Sequence, residues 1–110
     1  MKRLKDRNTR RLIILQGKKV GSSAVSLYFQ ENGIGLFRYA IYSNKRLGGA
    51  VKRNRIKRLF REILNVSKSR LQGFDLIIIP RTGITGMSAA EVRPYVVRLL
   101  LDNGILRNSL

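Results

Sequence analysis

The sequence contains no histidine and no cysteine. It therefore cannot form a Ser-His-Asp or Cys-His catalytic arrangement, a thiolate zinc site or a disulfide bond. Acidic residues are few as well, and they are scattered along the chain as Asp6, Glu31, Glu62, Asp75, Glu91 and Asp102. A hydrolase that relies on protein groups alone normally needs such side chains close together to hold metal ions. The composition predicts a chain with no catalytic residue and no metal site of its own.

Long apolar runs are also missing. The longest, such as Leu76 to Ile79, fall far short of the ~20 residues that span a bilayer. The basic start of the chain, Met1 to Arg11, leads only into the four apolar residues Leu12 to Leu15, whereas a secretory signal needs about 7–15. We therefore expect a cytoplasmic protein with no membrane-spanning segment.

Basic residues, by contrast, are abundant: 23 Lys and Arg against six acids give a net charge of +17. Hydrophobic residues make up 44% of the 110 residues, which predicts one folded domain instead of a disordered basic tail. Self-repulsion on this scale destabilises a compact monomer unless a polyanion balances it. The candidate polyanions are nucleic acid and an anionic membrane surface. The membrane is the weaker candidate because the apolar face of helix 50–66 is fully explained as core, so we expect no membrane partner.

The charge is concentrated in two segments. Residues 1–19 carry a net charge of +7 and residues 45–61 carry +8, so the remaining two thirds of the chain are nearly neutral. This distribution indicates two binding surfaces on an otherwise ordinary domain.

Three helices are predicted from apolar spacing and from start and stop signals. The first spans Arg7 to Gln16 and is stopped by Gly17; either Asn8 caps its start or residues 1–6 form a flexible basic tail. The second, residues 50–66, has an apolar stripe of Ile56, Leu59, Phe60, Ile63 and Leu64 and a cationic ridge opposite. The third begins with a capping box at Ser88 and Glu91, and Pro94 either kinks it or marks its true start.

Strands are predicted for Ala24 to Gln30, Leu36 to Ser43 and Phe74 to Pro80. The first two flank Glu31-Asn32-Gly33, which favours a hairpin because Asn and Gly tolerate positive φ. The element order predicts an α+β domain over residues 1–110, with helices packed on one small central sheet. Strand 36–43, helix 50–66 and strand 74–80 would form a βαβ crossover, which is normally right-handed.

The segment from Lys45 to Glu62, KRLGGAVKRNRIKRLFRE, closely resembles the signature of the bacterial ribonuclease P protein component. The resemblance continues in order over most of the chain, with a basic first helix ending at Gly17, a strand carrying Tyr28, and the strand FDLIIIPR before the last helix. It implies an α-β sandwich whose crossover at the signature helix is left-handed, against the usual rule.

The resemblance also implies the function of an accessory subunit of an endoribonuclease. The protein would bind the ribonuclease P RNA subunit and the 5′ leader of precursor tRNA, with no obligatory protein partner, while RNA-held Mg²⁺ performs the hydrolysis. The residues assigned to the RNA subunit are Lys45, Arg46, Gly48, Lys52, Arg53, Asn54, Arg55, Lys57, Arg58 and Arg61.

The leader-binding assignment departs from the family pattern. Two aromatic residues usual on the first helix are replaced here by Arg10 and Ile14. Leader binding would therefore depend on Arg10, Arg11 and Ile14 together with the sheet aromatics Tyr28 and Tyr39. A ribosomal or other structural RNA-binding protein is the alternative, but it gives no reason for the signature segment. DNA binding through the basic helix would need a dimer seam or a helix-turn-helix partner, and neither is visible in the sequence.

Overall fold

The computed structural model describes residues 1–108. This part of the chain contains five strands and three helices. They are β1 Lys2–Arg3, α1 Arg7–Gln16, β2 Lys18–Gly21, β3 Val25–Glu31, β4 Arg38–Ile41, α2 Ala50–Val66, β5 Phe74–Pro80 and α3 Ala89–Asp102. Short 3₁₀ turns lie at Lys45–Leu47, Lys68–Arg70 and Thr82–Gly86. Among residues 1–108, no helix combines the length and the apolar character needed to cross a membrane.

The five strands form one mixed sheet in the order β1-β4-β5-β3-β2. β4 runs parallel to both β1 and β5, whereas β3 runs antiparallel to β5 and β2. The predicted α+β class is confirmed. Because the parallel neighbours β4 and β5 are joined through α2, the predicted βαβ crossover is confirmed as well. Its hand stays a prediction.

The predicted hairpin between residues 24–30 and 36–43 is wrong, because β5 lies between these two strands. Leu76, Ile77 and Ile78 of β5 are fully buried, and a strand that is apolar on both faces belongs at the centre of a sheet. Gly33 does adopt the positive φ predicted for this turn, with a value of 70°. The loop crosses over the end of β5 instead of reversing into its neighbour, and the observed hairpin joins β2 to β3.

Alternating side chains of the sheet supply two apolar clusters, one on each face. The larger lies under α2 and α3 and includes Leu27, Leu76, Phe60 and Val96. The smaller lies under α1 and contains Leu4, Ile13, Ala40 and Ile77. Helix α1 thus rests on the sheet mainly through the fully buried Ile13, and the face around it stays partly open.

The structure decides the points that the sequence left open at the helix ends. Asp6, not Asn8, caps α1, because its side chain accepts a hydrogen bond from the Asn8 amide. Residues 1–6 do not form a tail: β1 pairs with β4, and Leu4 is buried. The capping box of α3 is present, and the helix continues through Pro94. Both Pro94 and Ala90, one turn earlier, are exposed, so water reaches the carbonyl group that loses its donor.

Candidate nucleic-acid interface

The surface of α2 that faces away from the core is a cationic ridge. Phe60, Ile63 and Leu64 bury one side of the helix against the sheet, which leaves the opposite side in solvent. All ten residues predicted to bind the RNA subunit lie on α2 or in the turn before it. Exposed among them are Lys45, Arg46, Gly48, Lys52, Asn54, Arg55, Arg58 and Arg61, while Arg53 and Lys57 are half-buried.

The N-terminus of α2 adds positive potential to this ridge. Gly48 has a φ of 121°, which an L side chain rarely adopts, and a Cβ there would meet the Lys52 side chain at 2.8 Å. Gly49 occupies the capping position without a side chain, and the first turn contains no acid. The backbone amides of this turn and the helix dipole therefore favour an anion, together with the surrounding cations.

One flank of α2 meets the N-terminal segment at the edge of the sheet that β1 forms beside β4. Five cations from three parts of the chain line a cavity there, which we name the edge pocket: Arg3, Lys5, Arg10, Lys57 and Arg61. None of its lining residues is acidic. The two basic segments of the sequence, which were predicted as separate surfaces, thus touch each other at this point.

The open sheet face beside α1 carries four of the five predicted leader-binding residues, Arg10, Arg11, Ile14 and Tyr28. The Cζ atom of Arg10 lies 5.7 Å from the ring centroid of Tyr42, and Nζ of Lys19 lies 5.5 Å from that of Tyr28. Both distances fall within the range of a cation–π interaction. Ile14 packs at the edge of the apolar cluster below, so the face combines aromatic rings, an aliphatic side chain and cations.

Tyr39 does not lie on this face, and its assignment to leader binding stays a prediction. Its side chain is only 8% exposed and packs in the cluster under α2 and α3, where its ring stacks on Phe37 at 6.2 Å. Tyr42 lies on the α1 side instead, lining a shallow cavity with Arg11 and Ile14. Sequence reasoning missed Tyr42 because both faces of this strand carry a tyrosine. The sequence did contain a signal for Tyr42. Side chains alternate between the two faces of a strand, so Tyr42 shares a face with Ala40, and the small side chain of Ala40 leaves room for α1 on that face.

The acids of this chain are mostly engaged in the protein's own structure. Asp75 is buried and accepts hydrogen bonds from Nε and Nη2 of Arg38, both at 2.8 Å, and from Nδ2 of Asn32 at 2.9 Å. The hydrogen bonds to Asp75 raise the pKa of the Arg38 guanidinium. Together with the Asn32 hydrogen bond they tie β4, β5 and the loop after β3 to one another.

Four other carboxylates have partners on the surface. A hydrogen bond from the Thr9 hydroxyl lowers the pKa of Asp6, and one from the Ser88 amide lowers that of Glu91. Glu62 pairs with Arg93 at 3.1 Å, and Asp102 pairs with Arg98 at 3.4 Å. Residues 1–108 contain no group of three or more His, Cys, Asp or Glu side chains placed to share a metal ion.

Comparisons with known proteins agree over nearly the whole chain. The family model described as Ribonuclease P matches residues 1–102. The ribonuclease P protein component of Streptococcus agalactiae is 31% identical over 104 residues, 94% of this chain and 95% of its own. The structure of the Staphylococcus aureus RNase P protein is similar with a TM-score of 0.89 at 30% identity, covering 96% of this chain and 97% of that one. The Thermotoga maritima protein gives 0.81 at 31% identity, covering 89% and 94%.

Proposed function

The chain belongs to the ribonuclease P protein component family, and on that basis we propose that it binds the ribonuclease P RNA subunit and the 5′ leader of precursor tRNA. As a member of this family it is part of the ribonuclease P complex, associates with its RNA and serves tRNA processing. In our proposal it acts in the cytoplasm and assists removal of the leader, which forms the mature 5′ end of the tRNA.

The observation that carries the proposal is the cationic ridge of α2. From Lys45 to Arg61 the chain contains eight Lys and Arg and no acid, and Glu62, the first acid after them, is paired with Arg93. Solvated helix faces usually mix charges of both signs, because like charges one turn apart repel each other. An uncompensated row of cations is typical of a surface that neutralises phosphates.

The proposed leader site is the open face beside α1, with Tyr28 and Tyr42 as base-stacking surfaces. Stacking on an aromatic side chain contributes about 1–3 kcal/mol per base in single-strand binding. Arg10 and Arg11, beside these rings, would contact the leader phosphates. The sheet rings would thereby replace the aromatic side chains that are missing from the first helix.

Catalysis is assigned to the RNA subunit in this proposal. Five of the six acids already cap helices or pair with arginine in the protein. They are therefore poor candidates for a shared metal site, and the Mg²⁺ ions of the reaction would be held mainly by RNA. The ribosomal alternative is less favoured because the family model and the relatives all point to ribonuclease P.

The proposal is tested by titrating the protein onto ribonuclease P RNA at several salt concentrations. Removing Arg53, Arg55 and Arg58 together by Ala substitution should weaken binding and reduce the log–log salt slope by about 2–3, since each lost phosphate contact contributes about 0.7–0.9. The matched control removes Lys68, Arg98 and Arg107, which changes the net charge equally but lies off the ridge. Equal losses in both triple variants would show that only total charge matters.

A further inference from the structure

A second groove lies between α2 and the start of α3, on the side of α2 away from the edge pocket. Its floor is apolar and consists of Ile56, Leu59, Ile84, Met87 and Val92. Ile84 and Val92 are buried, whereas Ile56, Leu59 and Met87 remain partly open to solvent. The groove therefore offers an apolar surface that the folded chain does not cover itself.

The rim of this groove is strongly basic. Lys52, Arg55 and Arg58 line it from α2, and Arg93 lines it from α3. Glu62 is the one acid among the lining residues, and its carboxylate is already paired with Arg93 at 3.1 Å. An apolar floor within a cationic rim matches the chemistry of a nucleotide, whose base has apolar faces and whose phosphates are anionic.

We propose that this groove binds one unpaired nucleotide of the ribonuclease P RNA subunit. Its base would lie on Leu59 and Met87, and its flanking phosphates would contact Lys52 and Arg55. This inference rests on the proposed function, because the same rim cations belong to the ridge assigned to the RNA subunit. The leader is the less suitable occupant, since its proposed site lies beside α1 on the opposite face of the sheet.

The test uses two adjacent alanines of α3 that differ in one respect. Ala89 and Ala90 are both exposed in the first turn of the helix, but only Ala89 lines the groove. Ala89→Trp should fill the groove and weaken RNA-subunit binding roughly tenfold, the fold-change that corresponds to losing about 55 Å² of apolar surface buried against the groove floor. The salt slope should equal that of the unchanged protein because no cation is removed. Ala90→Trp should bind normally.

Unchanged affinity of Ala89→Trp would overturn the inference, and so would an equal loss in Ala90→Trp. A protein partner in the groove would give the first of these outcomes. If the unchanged protein itself fails to bind the RNA subunit, the proposed function fails instead, so the two failures are distinguishable. Circular dichroism of both variants checks that they fold.

A cross-linking experiment keeps the inference testable even if the tryptophan variant misfolds. The sequence has no cysteine, so Ala89→Cys and Ala90→Cys each provide a unique attachment point for a photoreactive group. In the complex with the RNA subunit, the probe at position 89 should cross-link to an unpaired nucleotide, and more strongly than the probe at position 90. Cross-links only to base-paired segments, or equal yields from both positions, contradict the proposal.

Discussion

The edge pocket makes an unusual prediction, because one substitution there should stabilise the free protein and weaken its binding to RNA. Lys57 shares the pocket with four other cations, Arg3, Lys5, Arg10 and Arg61. For charges about 10 Å apart in water, Coulomb's law gives about 0.4 kcal/mol of repulsion per pair. Physiological salt screens this to roughly a third, since the Debye length is then about 8 Å. Four pairs therefore cost about 1.6 kcal/mol at very low salt and about 0.5 kcal/mol near 0.15 M.

The variant Lys57→Gln removes this charge while keeping a long side chain of similar helix propensity. We expect its free energy of unfolding to exceed that of the unchanged protein by about 0.5–1 kcal/mol at low salt, with the difference vanishing as salt is added. RNA-subunit binding should weaken, and its log–log salt slope should fall by about 0.7–0.9, the contribution of one phosphate contact. The control is Lys68→Gln, which makes the same charge change outside the pocket.

Urea denaturation at two salt concentrations and RNA titration give both readouts. Destabilisation of Lys57→Gln at low salt would refute the reasoning, since it would mean that Lys57 contributes packing and not repulsion. A stability gain equal to that of Lys68→Gln would assign the effect to net charge alone.

Three further predictions concern stability, pH and the leader. Asp75→Asn should lower the free energy of unfolding by roughly 2–3 kcal/mol, below the full cost of breaking a buried pair because Arg38 can reach water; denaturant titration measures it. The pKa values of Asp6 and Glu91 are lower in the folded protein than their ordinary values of 3.8 and 4.5. Each ionised carboxylate therefore stabilises the fold above its ordinary pKa, and this stabilisation is lost as the pH falls through the lowered pKa. Melting temperature should therefore drop in this acidic window, and less so in Glu91→Gln. Replacing Tyr28 and Tyr42 by Leu should weaken precursor tRNA binding to the assembled enzyme by roughly 30-fold or more, since each ring stacks one base, while mature tRNA affinity, measured in parallel, stays unchanged.

The helices could be predicted closely from the sequence because their signals are local. The bounds of α1 and α2 agree with the predicted 7–16 and 50–66, since Gly17 and the Gly48-Gly49 pair act on the immediately adjacent backbone. The same holds for the capping box of α3, in which Ser88 and Glu91 bond across a single turn.

The sheet order could not be predicted in the same way, because strand pairing joins residues far apart in the sequence. The Asn32-Gly33 turn is compatible with a hairpin, and only the burial of β5 on both faces excludes one. The face on which Tyr39 lies could not be predicted for a related reason. A strand with tyrosines on both faces does not reveal which face α1 will cover, and the position of α1 depends on the cluster that Ile13 forms with Leu4, Ala40 and Ile77 in the folded protein.

The edge pocket also lay beyond sequence reasoning. Arg3 and Lys5 come close to α2 only because β1 pairs with β4, and a two-residue strand gives no readable pattern in the sequence. The division into two basic segments was therefore correct as a description of the chain but incomplete as a description of the surface.

Reconstituted leader removal tests the central claim most directly. Precursor tRNA is incubated with the protein alone, with ribonuclease P RNA alone and with both, at a Mg²⁺ concentration where the RNA alone is slow. The account predicts no cleavage by the protein alone and accelerated release of the 5′ leader by the mixture. Cleavage by nuclease-free protein without RNA, or a mixture no faster than the RNA alone, would contradict it.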